Sequence, residues 1–162
     1  VIEATVVYIF RDRKVLLGEK TRLYCSGRLA PPGGKIKIGE AMPESAIRET
    51  QEECGLIPRL TRQPLGNVMC YHESDLEDIL VHVFRTKSFS GQPRDSAELK
   101  DVRWYPLKDS VLERMMDGDK AWFSYVVRNE RFEAQVWYDK DRRLSRPPLV
   151  RSLASLPLPR LP

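Results

Sequence analysis

The apolar positions of this chain fall into short β-branched and aromatic runs separated by polar turns. Thr5-Val6-Val7-Tyr8-Ile9-Phe10 reads as a buried strand. Arg11-Asp12-Arg13 reads as a polar turn, and Lys14-Val15-Leu16-Leu17-Gly18 as the partner strand of a hairpin. Residues 26–39 are dense in Gly and Pro and predict a loop. Residues 43–54 favour a helix, with Pro43 suited to its first turn and Gly55 to its C-terminal cap. Further strands are predicted near residues 59–71, 79–89, 102–105 and 131–138. In the last of these Phe132, Ala134, Val136 and Tyr138 share one face. A second helix is predicted within residues 109–129, interrupted near Asp117-Gly118-Asp119. Strands that flank one strongly marked helix and a weaker one give an α/β fold with a mixed sheet between helices.

Length and composition narrow the class. A chain of 162 residues, 41% apolar and 31% charged, fits one globular domain with a proper core. No apolar run approaches a membrane span, and the N-terminus lacks a signal-peptide pattern, so a cytoplasmic protein without a membrane partner is expected. Cys25, Cys54 and Cys70 are odd in number and widely spaced, which predicts reduced thiols and no structural zinc. The net charge of +4 is uneven: residues 140–162 carry six cations against Asp141, a net +5, which leaves residues 1–139 at −1. That segment also holds Pro147, Pro148, Pro157, Pro159 and Pro162, so it cannot be a continuous helix. The chain therefore divides into a domain of residues 1–139 and a basic, Pro-rich extension of residues 140–162, extended or disordered. Nucleic acid is a partner only through that extension.

The chemistry concentrates between Gly33 and Leu56. On a helix that advances about 100° per residue, Glu49, Glu52 and Glu53 fall at about 0°, 300° and 40°. Ile47, Thr50 and Cys54 form an adjacent stripe suited to packing on a sheet. A solvated acidic face would be balanced by lysines one turn away, yet Arg48 is the one basic residue in residues 43–56. Clustered carboxylates late in a helix also oppose its dipole. A hard divalent cation, Mg²⁺ or Mn²⁺, relieves both penalties. Gly33-Gly34 lets backbone approach a metal or phosphate closely, Arg48 can orient the carboxylates, and Lys20 and Lys35 are candidate phosphate contacts.

Gly34, Glu40, Arg48-Glu49, Glu52-Glu53 and Gly55-Leu56, at these spacings, resemble the signature of the Nudix hydrolases. Thr50 departs from it, standing where the family usually has an aliphatic residue; its hydroxyl can bond the preceding turn. The resemblance implies an α/β/α sandwich with a catalytic loop-helix-loop. It implies metal ligation by Glu49, Glu52 and Glu53 with the Gly33 carbonyl, and water attack on a diphosphate. Glu98 occupies the place where many members put another ligand or the general base, and carboxylates of the site, Glu52 and Glu53 among them, take the water's proton.

Beyond the signature, Val15-Leu16-Leu17-Gly18 with Lys20, Gly27-Arg28, Val81-His82-Val83-Phe84 and Ala121-Trp122-Phe123 are similar to the MutT-like oxidised-purine nucleoside triphosphatases. This implies a small nucleotide such as 8-oxo-dGTP as substrate, with Asp119 reading the purine edge beside Trp122. The chain departs from the eukaryotic-type enzymes at Gly118-Asp119, where they carry adjacent acids, and at Ala30, where they carry asparagine. It departs again at Cys70 and His72, which replace aromatic residues. Asp117-Gly118-Asp119 reads equally as a turn with a helix N-cap, and Trp122 equally as core. His82 reads as structural. The same catalytic helix serves hydrolases of nucleotide sugars, dinucleoside polyphosphates and capped RNA. Domains of this fold that only bind nucleotides have lost acids from the helix, whereas Glu49, Glu52 and Glu53 are retained.

Overall fold

A computed structural model, which describes residues 1–22, 25–73 and 76–153, folds the apolar runs into a mixed sheet with helices on both faces. In chain order the elements are β1 (Ile2–Arg11), β2 (Lys14–Lys20), β3 (Leu29–Ala30), β4 (Gly33–Lys35), α1 (Met42–Cys54), β5 (Ile57–Pro58) and β6 (Gly66–His72). They continue as β7 (Ile79–Thr86), β8 (Phe89–Ser90), β9 (Leu99–Pro106), α2 (Asp109–Leu112), α3 (Asp117–Val127), β10 (Phe132–Tyr138) and β11 (Leu149–Ser152). The main sheet runs β11-β10-β6-β7-β1-β2-β3, with β4 also on β1 and β9 also on β2. The β1–β7 and β6–β10 pairs are parallel and the others antiparallel. β5 and β8 form a separate two-stranded ribbon.

Alternation along β1 divides the interior. Val7 and Ile9 join Ala46, Cys54 and Leu56 in the core under α1. Tyr8 and Phe10 join Trp122, Phe123 and Val126 in the core under α3. A period of two sends successive side chains to opposite faces, so one strand nucleates both layers. The hairpin turn is Asp12-Arg13, both left-handed at φ 49° and 61°, as a two-residue primed turn requires.

Three elements differ from expectation. The Gly- and Pro-rich loop holds two short strands, β3 and β4, because Gly33 lies so close to β1 that a Cβ there would sit 2.2 Å from the Thr5 carbonyl oxygen. Local turn chemistry cannot report such a tertiary approach. The break between α2 and α3 falls before Asp117, so the Asp117-Gly118-Asp119 triplet starts α3 and does not interrupt it. The buried stripe of α1 is Ala46, Thr50 and Cys54, with Ile47 only half-buried. Thr50 donates to the Ala46 carbonyl at 2.7 Å, which satisfies its hydroxyl without leaving the helix.

The C-terminal basic segment contributes β11, which pairs antiparallel with β10 and sets Val150 opposite Ala134. Residues 154–162 of that segment lie outside the described residues. Among the described residues, no helix is long and apolar enough to cross a membrane. The three thiols are free.

Because β11 covers the β10 edge, a chain ending at residue 148 should lose about 1–2 kcal/mol, a fall in Tm of roughly 3–6 °C. Calorimetry of the two chains checks this, and an unchanged Tm would show that β11 adds nothing to the sheet.

Candidate active site

The Gly33-Gly34 strand runs directly beneath the acidic face of α1. A Cβ on Gly34 would fall 2.4 Å from the carboxyl carbon of Glu49, so the absent side chain is what makes room for the carboxylate. Lys20, at the end of β2, reaches the same place from another strand that pairs with β1. These elements enclose a cleft of about 630 Å³ lined by Lys20, Gly33, Lys35, Arg48, Glu49, Glu52, Glu53 and Glu98. Eight residues singled out by sequence are therefore brought together. Arg22 joins them at the rim, ion-paired to Glu98, which immediately precedes β9.

Arg48 is the hub of the cleft. Its guanidinium donates to Glu40 at 2.7 and 2.9 Å, to Glu49 at 2.8 Å, to Glu52 at 3.3 Å and to the Lys35 carbonyl at 3.2 Å. The Arg48 fork holds Glu40 at a pKa of about 2, far below the usual carboxylate range. Its own pKa is raised in turn, chiefly by the bond to Glu40. Arg48 is therefore a positioning residue. It fixes the loop to the helix and aims the carboxylates.

Glu53 lies deepest, 3% exposed, and Lys20 Nζ bonds both its carboxylate oxygens at 3.1 and 2.9 Å. Burial pushes the Glu53 pKa up, while Lys20 and the Gly33 amide favour its charged form. Lys20, expected to meet phosphate, is thus paired to an acid in this state. Among the described residues no three acidic, His or Cys side chains stand ready as a ligand cage, since Arg48 and Lys20 hold the carboxylates. The donor set nonetheless suits a hard cation: carboxylate oxygens on one helix face, beside backbone stripped of side chains.

A second cavity of about 100 Å³ opens beside the first, on the α3 side of the sheet. Lys20 and Cys25 line both. Tyr8, Ala30, Cys70, Met116, Asp119, Trp122 and Tyr138 are among the other residues that line the second. Trp122 stacks on Phe132 at 5.4 Å and meets the Tyr8 ring edge-on at 5.9 Å, so it serves as core and wall at once. The N-cap of α3 is Met116, without a side-chain cap bond, so neither Asp117 nor Asp119 caps the helix. Asp117 pairs with Lys120 instead, which leaves Asp119 to the cavity. Its pKa is pushed up to about 7 by loss of solvent. His82 stands apart from both cavities, bonded to Asn67 and Glu3.

Sequence reasoning did not pick out Tyr8, Cys25 or Met116. The one signal available for Tyr8 was a hydroxyl in the middle of the apolar run of residues 6–10.

Comparison with known proteins agrees with this geometry. The NUDIX domain model matches residues 2–138. The chain is 31% identical over 128 residues to an oxidized purine nucleoside triphosphate hydrolase of Danio rerio, covering 79% of this chain and 81% of the relative. It is 30% identical over 142 residues to the protein of the same name from Mus musculus, covering 87% and 90%. Among solved structures, the mutator MutT protein from Bacillus halodurans superposes with a TM-score of 0.77 at 26% identity, covering 94% of this chain and 97% of that one.

Asp119 makes stability depend on pH. Its ordinary pKa of 3.8 is raised to about 7 in the folded chain, so folding favours the neutral acid. That contribution is complete below the unfolded value and is lost as pH rises through about 7. Asp119→Asn should therefore gain on the wild type as pH rises from 5 to 8, by roughly 2–3 kcal/mol, most of it below pH 7. Thermal melts across that range test it, and a gap independent of pH would refute a neutral acid at Asp119.

Proposed function

The chain is a hydrolase of the Nudix family, and we propose on that premise that it is a Mg²⁺-dependent nucleoside triphosphate pyrophosphohydrolase acting on oxidised purine nucleotides such as 8-oxo-dGTP. The observation that carries this reading is the meeting of two cavities at Lys20: one lined by acids for the phosphates, the other closed by aromatic rings around a single carboxyl for the base. The relatives named for hydrolysis of oxidised purine triphosphates support the same substrate class.

Each residue has a task in this scheme. Glu49, Glu52 and Glu53 with the Gly33 carbonyl would hold Mg²⁺ or Mn²⁺, which when bound polarises a phosphoryl oxygen and offsets phosphate charge. Arg48 keeps the carboxylates aligned. Water adds to one phosphorus of the α–β anhydride, the bridging oxygen leaves with the other, and the products are the monophosphate and pyrophosphate. Glu52, with its side chain 58% exposed, and Glu98 at the rim would accept the proton of the attacking water. Lys20, once freed from Glu53, and Lys35 stabilise charge on the phosphates. Asp119 pairs with the base edge, and Trp122 closes the pocket wall.

Glu53→Gln should lower turnover at saturating Mg²⁺ at least a hundredfold while the chain still folds. Its melt should fall too, because Lys20 loses a buried partner. Glu44→Gln, exposed in the first turn of α1, serves as the comparison and should keep its activity. Near-wild-type turnover of Glu53→Gln, or full activity in a chelator, would remove the metal assignment.

Substrate choice has its own test. Across oxidised and ordinary triphosphates, nucleotide sugars, dinucleoside polyphosphates, ADP-ribose and capped RNA, the oxidised purine triphosphate should be preferred. Asp119→Ala should cut kcat/KM for it by roughly 1.5–3 kcal/mol, about tenfold to a hundredfold, and affect ordinary triphosphates less. Equal losses on all substrates would assign Asp119 a structural role. A wild type indifferent to oxidation would move the assignment to another diphosphate-linked nucleotide.

A further inference from the structure

The second cavity holds polar atoms that the protein itself does not satisfy. The hydroxyl of Tyr8, a residue with no exposed surface, has no hydrogen-bond partner among the described residues, and neither has Nε1 of Trp122, a residue 3% exposed. Both residues line the cavity that contains Asp119. A buried donor without a partner is costly, and native interiors rarely keep one. Tyr8 is fixed besides: its ring packs edge-on against Trp122 at 5.9 Å and tilted against Phe123 at 5.3 Å, and its strand pairs with β7. The hydroxyl cannot swing out to find water. Phenylalanine would supply the same ring without the penalty, so the oxygen is retained against the stability of the empty protein. Such local conflicts are expected where a ligand resolves them.

We propose that Tyr8 is a specificity-determining residue whose hydroxyl hydrogen-bonds the base of the bound nucleotide, together with the indole N–H of Trp122. This rests on the reading that the second cavity receives the base. The indole N–H can only donate, and the phenol can donate or accept. A base edge that presents carbonyl oxygens or ring nitrogens to them, and N–H groups to Asp119, satisfies all three at once. An oxopurine carries that mixture. The phenol therefore adds a contact on the sheet side of the base, opposite the first turn of α3 where Asp119 lies. Ala30 has no polar side-chain atom, so it cannot supply a hydrogen bond from its own place in the cavity wall.

Tyr8→Phe tests this with the whole chain and Mg²⁺. Three readouts separate a ligand contact from a structural one: kcat/KM for 8-oxo-dGTP, dGTP and dCTP; calorimetric binding of 8-oxo-dGMP without metal; and the melting temperature of the unliganded protein. Tyr8→Phe should lower kcat/KM for 8-oxo-dGTP about tenfold or more, change dCTP little, and weaken 8-oxo-dGMP binding by a similar factor. Its affinity for pyrophosphate should be unchanged. The unliganded melt should stay level or rise, because the orphaned hydroxyl is gone. A wild type that prefers 8-oxo-dGTP, with Tyr8→Phe matching it on every nucleotide, overturns the inference alone. So does a Tyr8→Phe protein that melts lower and loses all substrates equally, which would make the hydroxyl structural. A wild type without preference among bases overturns the reading of the substrate, and the inference with it.

Discussion

Four carboxylates crowd around Arg48 and Lys20, and the repulsion among them is the constraint that the rest of this structure answers. Glu40 from a loop meets Glu49, Glu52 and Glu53 from one helix face, where like charges cost stability and oppose the helix dipole. Two cations resolve it. Arg48 bonds three of the four, and Lys20 grips the buried one with both carboxylate oxygens. Arg48 is always charged and its fork matches carboxylates, which suits a permanent brace. Lys20 is a point charge on a flexible stem at the lip of a second cavity, which suits an ion that can change partners. The division of labour follows from the chemistry of the two side chains.

Close approach of backbone is the second requirement. The acids can be gathered only if β4 passes under α1 and against β1 with nothing between, and Gly33 and Gly34 meet both conditions. A side chain at Gly33 would strike the Thr5 carbonyl, and one at Gly34 would displace Glu49. Thr5 in turn lies beside Ser45 of α1, 3.3 Å between hydroxyls, so strand, loop and helix lock at a single place. The acidic face of α1 is thereby anchored to β1, the strand that both cores share.

That shared strand also couples the two cavities. Val7 and Ile9 support the helix that carries the acids, while Tyr8 between them faces the aromatic cavity that Asp119 enters. The acid-bearing helix and the aromatic cavity are therefore supported from opposite faces of one strand. Lys20 and Cys25 stand at the junction, where a nucleotide spanning both would place the group next to its sugar.

The sequence by itself determined what depends on local order. The β1–β2 hairpin, the helix from Met42 to Cys54 with its Gly55 cap, and the acidic arc at Glu49, Glu52 and Glu53 are properties of neighbours along the chain, legible from period and spacing. Spacing alone could also relate those acids to Gly34 and Arg48, because a helix and its preceding loop are one continuous segment. What lies far apart in sequence was decided only by the tertiary structure. The pairing of β11 with β10 comes from an edge that needed covering, and the strands inside a Gly-rich loop come from proximity to β1. Lys20 reaches Glu53 across 33 residues, and Asp119 of α3 comes to line the same cavity as Tyr8 of β1. These arrangements depend on which surfaces exclude water together, and no local pattern encodes that.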